Sequence, residues 1–178
     1  MRPIPTLKTA SLRLRERTPD DAGALFPIFA DAELMTYWSS GPHQSIEETR
    51  AKLTKSPDIQ RVFRGWAITL SGDDTAIGFV TVREKRPGVS EIGYMVARPH
   101  WGRGIAREAV SAVLDQVLRV EGQRRVIADT DPENAASNGL LKALGFTLEG
   151  RLREEWETHL GVRDTFLWGL LASEWNAR

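Results

Sequence analysis

The sequence predicts a single α+β domain built on a mixed, mostly antiparallel sheet flanked by helices. Strand-like runs crowd the first half of the chain, and two of them are separated only by the turn "SGDDT". The second half then alternates strand, helix, strand, helix. A doubly wound protein would alternate throughout, so the antiparallel opening argues for an α+β arrangement. The length, 178 residues, suits one domain, residues 1–178, with an ordered core expected over about 8–172.

Taken in order, "LRLRER" (Leu12 to Arg17) alternates apolar and charged residues and reads as the first strand. Thr18 suits an N-cap, Pro19 the first helical position, and Asp20 and Asp21 the positive end of the helix dipole. Pro27 is expected to bend or end that helix, and Ala32 to Trp38 to add a short turn. Ser45 with Glu48 resembles a capping box opening a helix to about Lys55. Strands follow at Gly65–Leu70, Ala76–Arg83 and Glu91–Ala97. From Ala106 to Val120, apolar residues at Ala109, Val110, Val113, Leu114, Val117 and Leu118 mark one helical face. "RRVIADT" is a strand, and Asn134 to Leu144 a helix ended by Gly145. Two last strands, from Phe146 and in "DTFLWGLL", meet in a loop or hairpin around Thr158 to Gly161.

Composition closes several routes. Lys+Arg and Asp+Glu both number 24, so no dominant basic surface speaks for nucleic acid. Cysteine is absent, which removes disulfides, thiolate metal sites and a cysteine nucleophile. His43, His100 and His159 are scattered without metal-ligand spacing, so no metal is expected. The N-terminus has no apolar signal region, and no run reaches the roughly 20 apolar residues that span a bilayer. A cytoplasmic protein with no membrane partner is the expectation.

The informative stretch is "EIGYMVARPHWGRGIAREA", from Glu91 to Ala109. It has no P-loop, which would need Gly-Lys-Ser/Thr after four residues. A dinucleotide fingerprint is nearer, with Gly102 and Gly104 after a strand and Asp129 ending the next one. Against it, Arg107 fills the third glycine position, and four residues separate the strand from Gly102. The remaining reading is a backbone anion site. Amides of Gly102 to Ala106 are orphan donors at a helix N-terminus, with Arg98, Arg103 and Arg107 adding charge.

"GYMVARPHWGRGIAREAV", followed downstream by "NAASNGLLKALGF", resembles the GNAT acetyltransferases, and within them the RimJ/RimL-like branch that acetylates ribosomal-protein N-termini. The likeness extends from "LRLRERTPDDAGALFPIFAD" to "EGRLREEWETHLGVRDTFLWGLL". It implies the acyl-CoA N-acyltransferase fold with a splayed central strand pair, and acetyl-CoA as co-substrate. The pyrophosphate is then expected on Gly102, Arg103, Gly104, Ile105 and Ala106, and pantetheine beside the backbone of Met95 and Val96. Asn134 matches a pantetheine-binding asparagine, Ser137 a hydroxyl near the departing sulfur, and Lys142 and Arg103 can reach phosphates. Trp101 stands where the wider family has Gln or Arg, as is usual in this branch. Leu141 stands where many relatives place a proton-donating tyrosine, so the acid falls to Ser137, to water, or to no specific group.

The chemistry implied is direct attack of an amine on the thioester in a ternary complex. Glu91 is the first candidate for general base, its other reading being a solvated strand-end carboxylate; Glu154 and Glu155 are weaker. A backbone amide near Val96 would polarise the carbonyl. Asn134 could equally be a plain N-cap. Trp38 and His159 are placed beside the acceptor pocket. The acceptor is expected to be a protein N-terminus, the alternatives being a small amine such as a polyamine, amino acid or antibiotic, or acyl-CoA binding without turnover. Monomer and homodimer both fit.

Overall fold

Leucines alternating with arginines put one side of the first long strand inside. In the computed structural model, which describes residues 4–54 and 62–177, these residues form β2 (Leu12–Glu16), after a two-residue β1 (Leu7–Lys8). Leu12 and Leu14 are fully buried. A 3-10 turn, Pro19–Asp21, then leads into α1 (Ala22–Phe29). Its entry is held by Asp21, which accepts from the Thr18 N–H at 2.9 Å and pairs with Arg15 at 2.7 Å. Pro27 does not end this helix, which runs on to Phe29. The proline forgoes one hydrogen bond, whereas stopping there would expose Ile28 and Phe29, both now buried.

Asp31 caps α2 (Ala32–Met35), and Ser45 caps α3 (Ile46–Leu53) by accepting from the Glu48 N–H at 3.1 Å. The Glu48 carboxylate reaches past the cap to the Gln44 N–H, at 2.7 Å, so only half of the capping box forms. The expected helix end at Lys55 lies outside the described residues. Next come β3 (Phe63–Leu70), β4 (Gly78–Arg86) and β5 (Val89–Val96), a meander. Helix α4 (Ile105–Leu114) continues as a π-helix, Asp115–Val120, in which the Glu121 N–H bonds the Gln116 carbonyl at 3.0 Å. The chain finishes with β6 (Arg125–Thr130), α5 (Ala135–Ala143), β7 (Thr147–Thr158), β8 (Gly161–Leu171) and α6 (Ala172–Asn176).

The strands form one eight-stranded sheet, in the order β1-β2-β3-β4-β5-β6-β8-β7. Every pairing is antiparallel except β5 with β6. One parallel pair in such a sheet excludes the doubly wound dinucleotide fold. Each face carries its own core. Trp66, Ile68, Val80, Ile92 and Val96 pack beneath α4 and α5, while Ala67, Phe79 and Met95 pack beneath α1, α2 and α3.

The feature that positions the site is where pairing stops. β5 and β6 pair only from Val89↔Arg125 to Glu91↔Ile127. Beyond Glu91, β5 stays with β4 as far as Val96, and β6 stays with β8 as far as Thr130↔Phe166. A gap therefore opens between them, joining the two faces of the sheet. Among the described residues no helix is long and apolar enough to cross a membrane.

Candidate active site

One wall of the gap is the free edge of β5. The Ala97 N–H bonds the Ile77 carbonyl at 2.9 Å, and Met95 pairs with Phe79. Strand alternation therefore aims the backbone of Met95 at β4, and that of Tyr94 and Val96 into the gap. The Val96 carbonyl is already used, accepting from the Trp101 indole at 2.7 Å. Its N–H is the donor left facing the opening. Trp101, half exposed, thus ties the glycine loop to the end of β5.

Past Trp101 the chain turns through Gly102 (φ 72) and Gly104 (φ 75), left-handed conformations that favour glycine. A Cβ at either position would meet nothing within 4 Å, so both glycines face open space. The Glu108 N–H makes the first helical bond, to the Gly104 carbonyl at 3.0 Å. Hence the amides of Gly102, Arg103, Gly104, Ile105 and Ala106 have no backbone acceptor among the described residues. They converge at the N-terminus of α4, which favours anions. Arg103 and Lys142 are exposed, and Arg103 lies 3.4 Å from the His100 ring nitrogen. Arg98 differs from expectation. Its guanidinium is held by Asp31 and Glu33 at the start of α2, so its charge is spent there.

On the same face, α5 begins at Asn134, whose Oδ1 accepts from the Ser137 N–H at 3.1 Å. The capping role is therefore real, and it leaves the amide Nδ2 free among the described residues. One turn on, Ser137 Oγ lies 2.8 Å from the Tyr94 hydroxyl. Burial pushes the Tyr94 phenol up to about 12, with the Ser137 bond opposing the rise. Leu141 is wholly buried in the core beneath α5. The phenol near the gap comes from β5 instead, a position sequence reasoning passed over. The alternation of Ile92, Tyr94 and Val96 was the signal available for it.

The opposite face holds carboxylates. Glu91 sits on the last paired rung and contacts Lys85 at 3.2 Å. Desolvation raises its pKa first, and the nearby Asp129 carboxylate raises it further, against the pull of Lys85. Asp129 accepts from the Trp156 indole at 2.8 Å. Trp38 meets Phe79 edge-on at 5.9 Å between centroids, and the His159 ring lies 3.5 Å from where a Cβ on Gly41 would stand. Trp38 and His159 thus border the same loop. The Tyr37 hydroxyl reaches the Glu133 carbonyl at 3.4 Å, linking that segment to the loop before α5. Glu154 and Glu155 are exposed on the edge strand β7. No group of histidines and carboxylates among the described residues could hold a metal ion.

The residues from 11 to 147 match the family model for the acetyltransferase (GNAT) domain. An uncharacterized N-acetyltransferase of Bacillus licheniformis is 30% identical over 174 residues, covering 96% of this chain and 98% of its own. The ribosomal-protein-serine acetyltransferase of Escherichia coli is 30% identical over 62% of this chain and 63% of its own. Among solved structures, a ribosomal L7/L12 α-N-protein acetyltransferase in complex with coenzyme A superposes with a TM-score of 0.83, at 22% identity, over 96% of this chain and 99% of its own. The open glycine cradle and the strand gap suit a phosphate-bearing thioester, and with the family match they give the conclusion: this chain belongs to the GNAT acetyltransferases and is an N-acetyltransferase that uses acetyl-CoA.

Proposed function

We propose that the protein acetylates a primary α-amine at a protein or peptide N-terminus, by direct attack within a ternary complex. The supporting observation is the gap between β5 and β6. It lies between the face that carries the glycine loop and the Tyr94–Ser137 pair and the face that carries Glu91 and Asp129, which supports this reading. An α-amine titrates at roughly 7.7–8.0, so a substantial fraction is neutral near pH 7 and asks little of a base.

In this reading the amides from Gly102 to Ala106 hold the pyrophosphate, with Arg103 and Lys142 beside it and Asn134 Nδ2 on the pantetheine arm. The amine lone pair attacks the acetyl carbonyl, forming C–N. The Val96 N–H steadies the oxygen as charge gathers there. Glu91 takes the amine proton, directly or through water. As C–S breaks, Ser137 donates a proton to the sulfur and is replenished by the Tyr94 hydroxyl. The resemblance to an enzyme named for a ribosomal-protein serine supports an N-terminal acceptor.

The test is thiol release from acetyl-CoA across peptides beginning with Ser or Ala and a panel of free amines. Turnover of peptides is the expected result. Turnover of free amines alone would move the assignment to a small-molecule enzyme, and tight CoA binding with no release would leave a binding module.

A further inference from the structure

Arg17 is a buried cation with no hydrogen-bonded carboxylate among the described residues. It retains 8% of its exposure, and its Nε is wholly buried without a hydrogen-bond partner. None of the described residues accepts from its guanidinium. The carboxylate that acts on it, Asp21, is bonded elsewhere: Arg15 takes both oxygens, at 2.7 and 3.0 Å, and the Thr18 N–H adds to one. Arg17 is instead held by rings, 4.7 Å from the Phe79 centroid and 6.0 Å from that of Phe63. Desolvation lowers its pKa to about 10, against the pull of the Asp21 carboxylate.

Its position gives this a purpose. The guanidinium lies over Gly65, where a Cβ would come 3.1 Å from Nε. Gly65 pairs with Thr81, and Thr81 with Gly93, one row across three strands on the face that carries Glu91. A Cβ on Gly93 would meet only the Thr81 hydroxyl, at 3.1 Å. Two glycines and a threonine make that row a shallow trough, running from β5 beside the gap to Arg17 over β3. Its length is one to two strand spacings, about 5–10 Å.

We propose that the acceptor carries a carboxylate several bonds from its amine, and that Arg17 receives this carboxylate while the amine lies at the gap beside Glu91. The proposal rests on the acetyltransfer reading and specifies its acceptor. The span is too long for the α-carboxylate of an amino acid held by its own α-amine. It suits an acidic residue following a peptide N-terminus, or a free ω-amino acid. Arginine matches a carboxylate with paired donors, which a lone ammonium would not.

Matched pairs test it: 5-aminopentanoate against 5-aminopentanamide, and Ser-Glu peptides against Ser-Gln peptides. The wild-type protein should favour the carboxylate member of a pair at least 10-fold in kcat/KM, chiefly through KM, and Arg17→Met should erase that preference. Which pair responds separates the small-molecule source from the peptide. Arg17→Met removes a buried unpaired charge, so its melting temperature should not fall; calorimetric binding of each pair to the CoA-bound protein reads the preference without turnover. A wild-type protein indifferent to the carboxylate, or an Arg17→Met variant that keeps the preference, overturns the inference alone. A chain that fails to bind CoA overturns the acetyltransfer reading, and this with it.

Discussion

Tyr94 and Glu91 sit three residues apart on one strand, and strand alternation sends them to opposite faces. Burial keeps the Tyr94 phenol protonated up to about 12, so it is a proton donor throughout the ordinary pH range. Tyr94→Phe keeps the ring and removes the hydroxyl. It should lower kcat roughly 100-fold, with little change in the KM for acetyl-CoA and no new alkaline limb below pH 10 or so. Glu91 works in the other direction. Its raised pKa means the fold favours the protonated form, so its stabilising share is full below the unfolded value, about 4.3, and is lost as pH rises through the folded value. Glu91→Gln should therefore melt higher than wild type near neutrality, with the difference shrinking as pH falls toward 4 or so. The same variant should lose about 100-fold in kcat, together with the acidic limb of the profile. A variant that loses stability and activity together would mark Glu91 as structural.

At the scale of elements, the glycine loop and the start of α5 were legible because each rests on local rules: positive φ, a helix N-terminus, an Asn cap. Gly104→Ala should cost about 1–2 kcal/mol from its left-handed backbone, since no neighbour would clash with the methyl. Gly104→Asn tolerates that conformation better and should fold, whereas Gly104→Glu sets a negative charge against phosphate and should abolish CoA binding by calorimetry. Equal CoA affinity in the two would refute the cradle. The role of Trp101 was not legible, because its indole bond to the Val96 carbonyl depends on how the loop folds back over β5. Nor was the π-helix at Asp115–Val120, whose apolar spacing reads equally well as α. Pro27 does not end its helix for a related reason, since packing of Ile28 and Phe29 outweighs one missing bond.

Across the whole molecule the decisive property is a sheet that stays paired on both sides of a gap. Tyr94 and Val96 have amides directed into that gap, so in the free protein they should exchange hydrogen much faster than the paired amide of Met95. Saturating CoA should slow them at least 10-fold if pantetheine lies along this edge; unchanged exchange would place the arm elsewhere. The sequence by itself determined the α+β class, the order of the elements, the glycine loop at a helix N-terminus and the family likeness, because these depend on periodicity, caps and short motifs read along the chain. Only the tertiary structure decided that β5 and β6 part beyond Glu91, that Tyr94 meets Ser137, that Arg98 is spent on α2 while Arg103 stays exposed, and that Arg17 lies buried over Gly65. Those facts join segments tens of residues apart, and strand register and helix packing, which no local pattern encodes, bring them together.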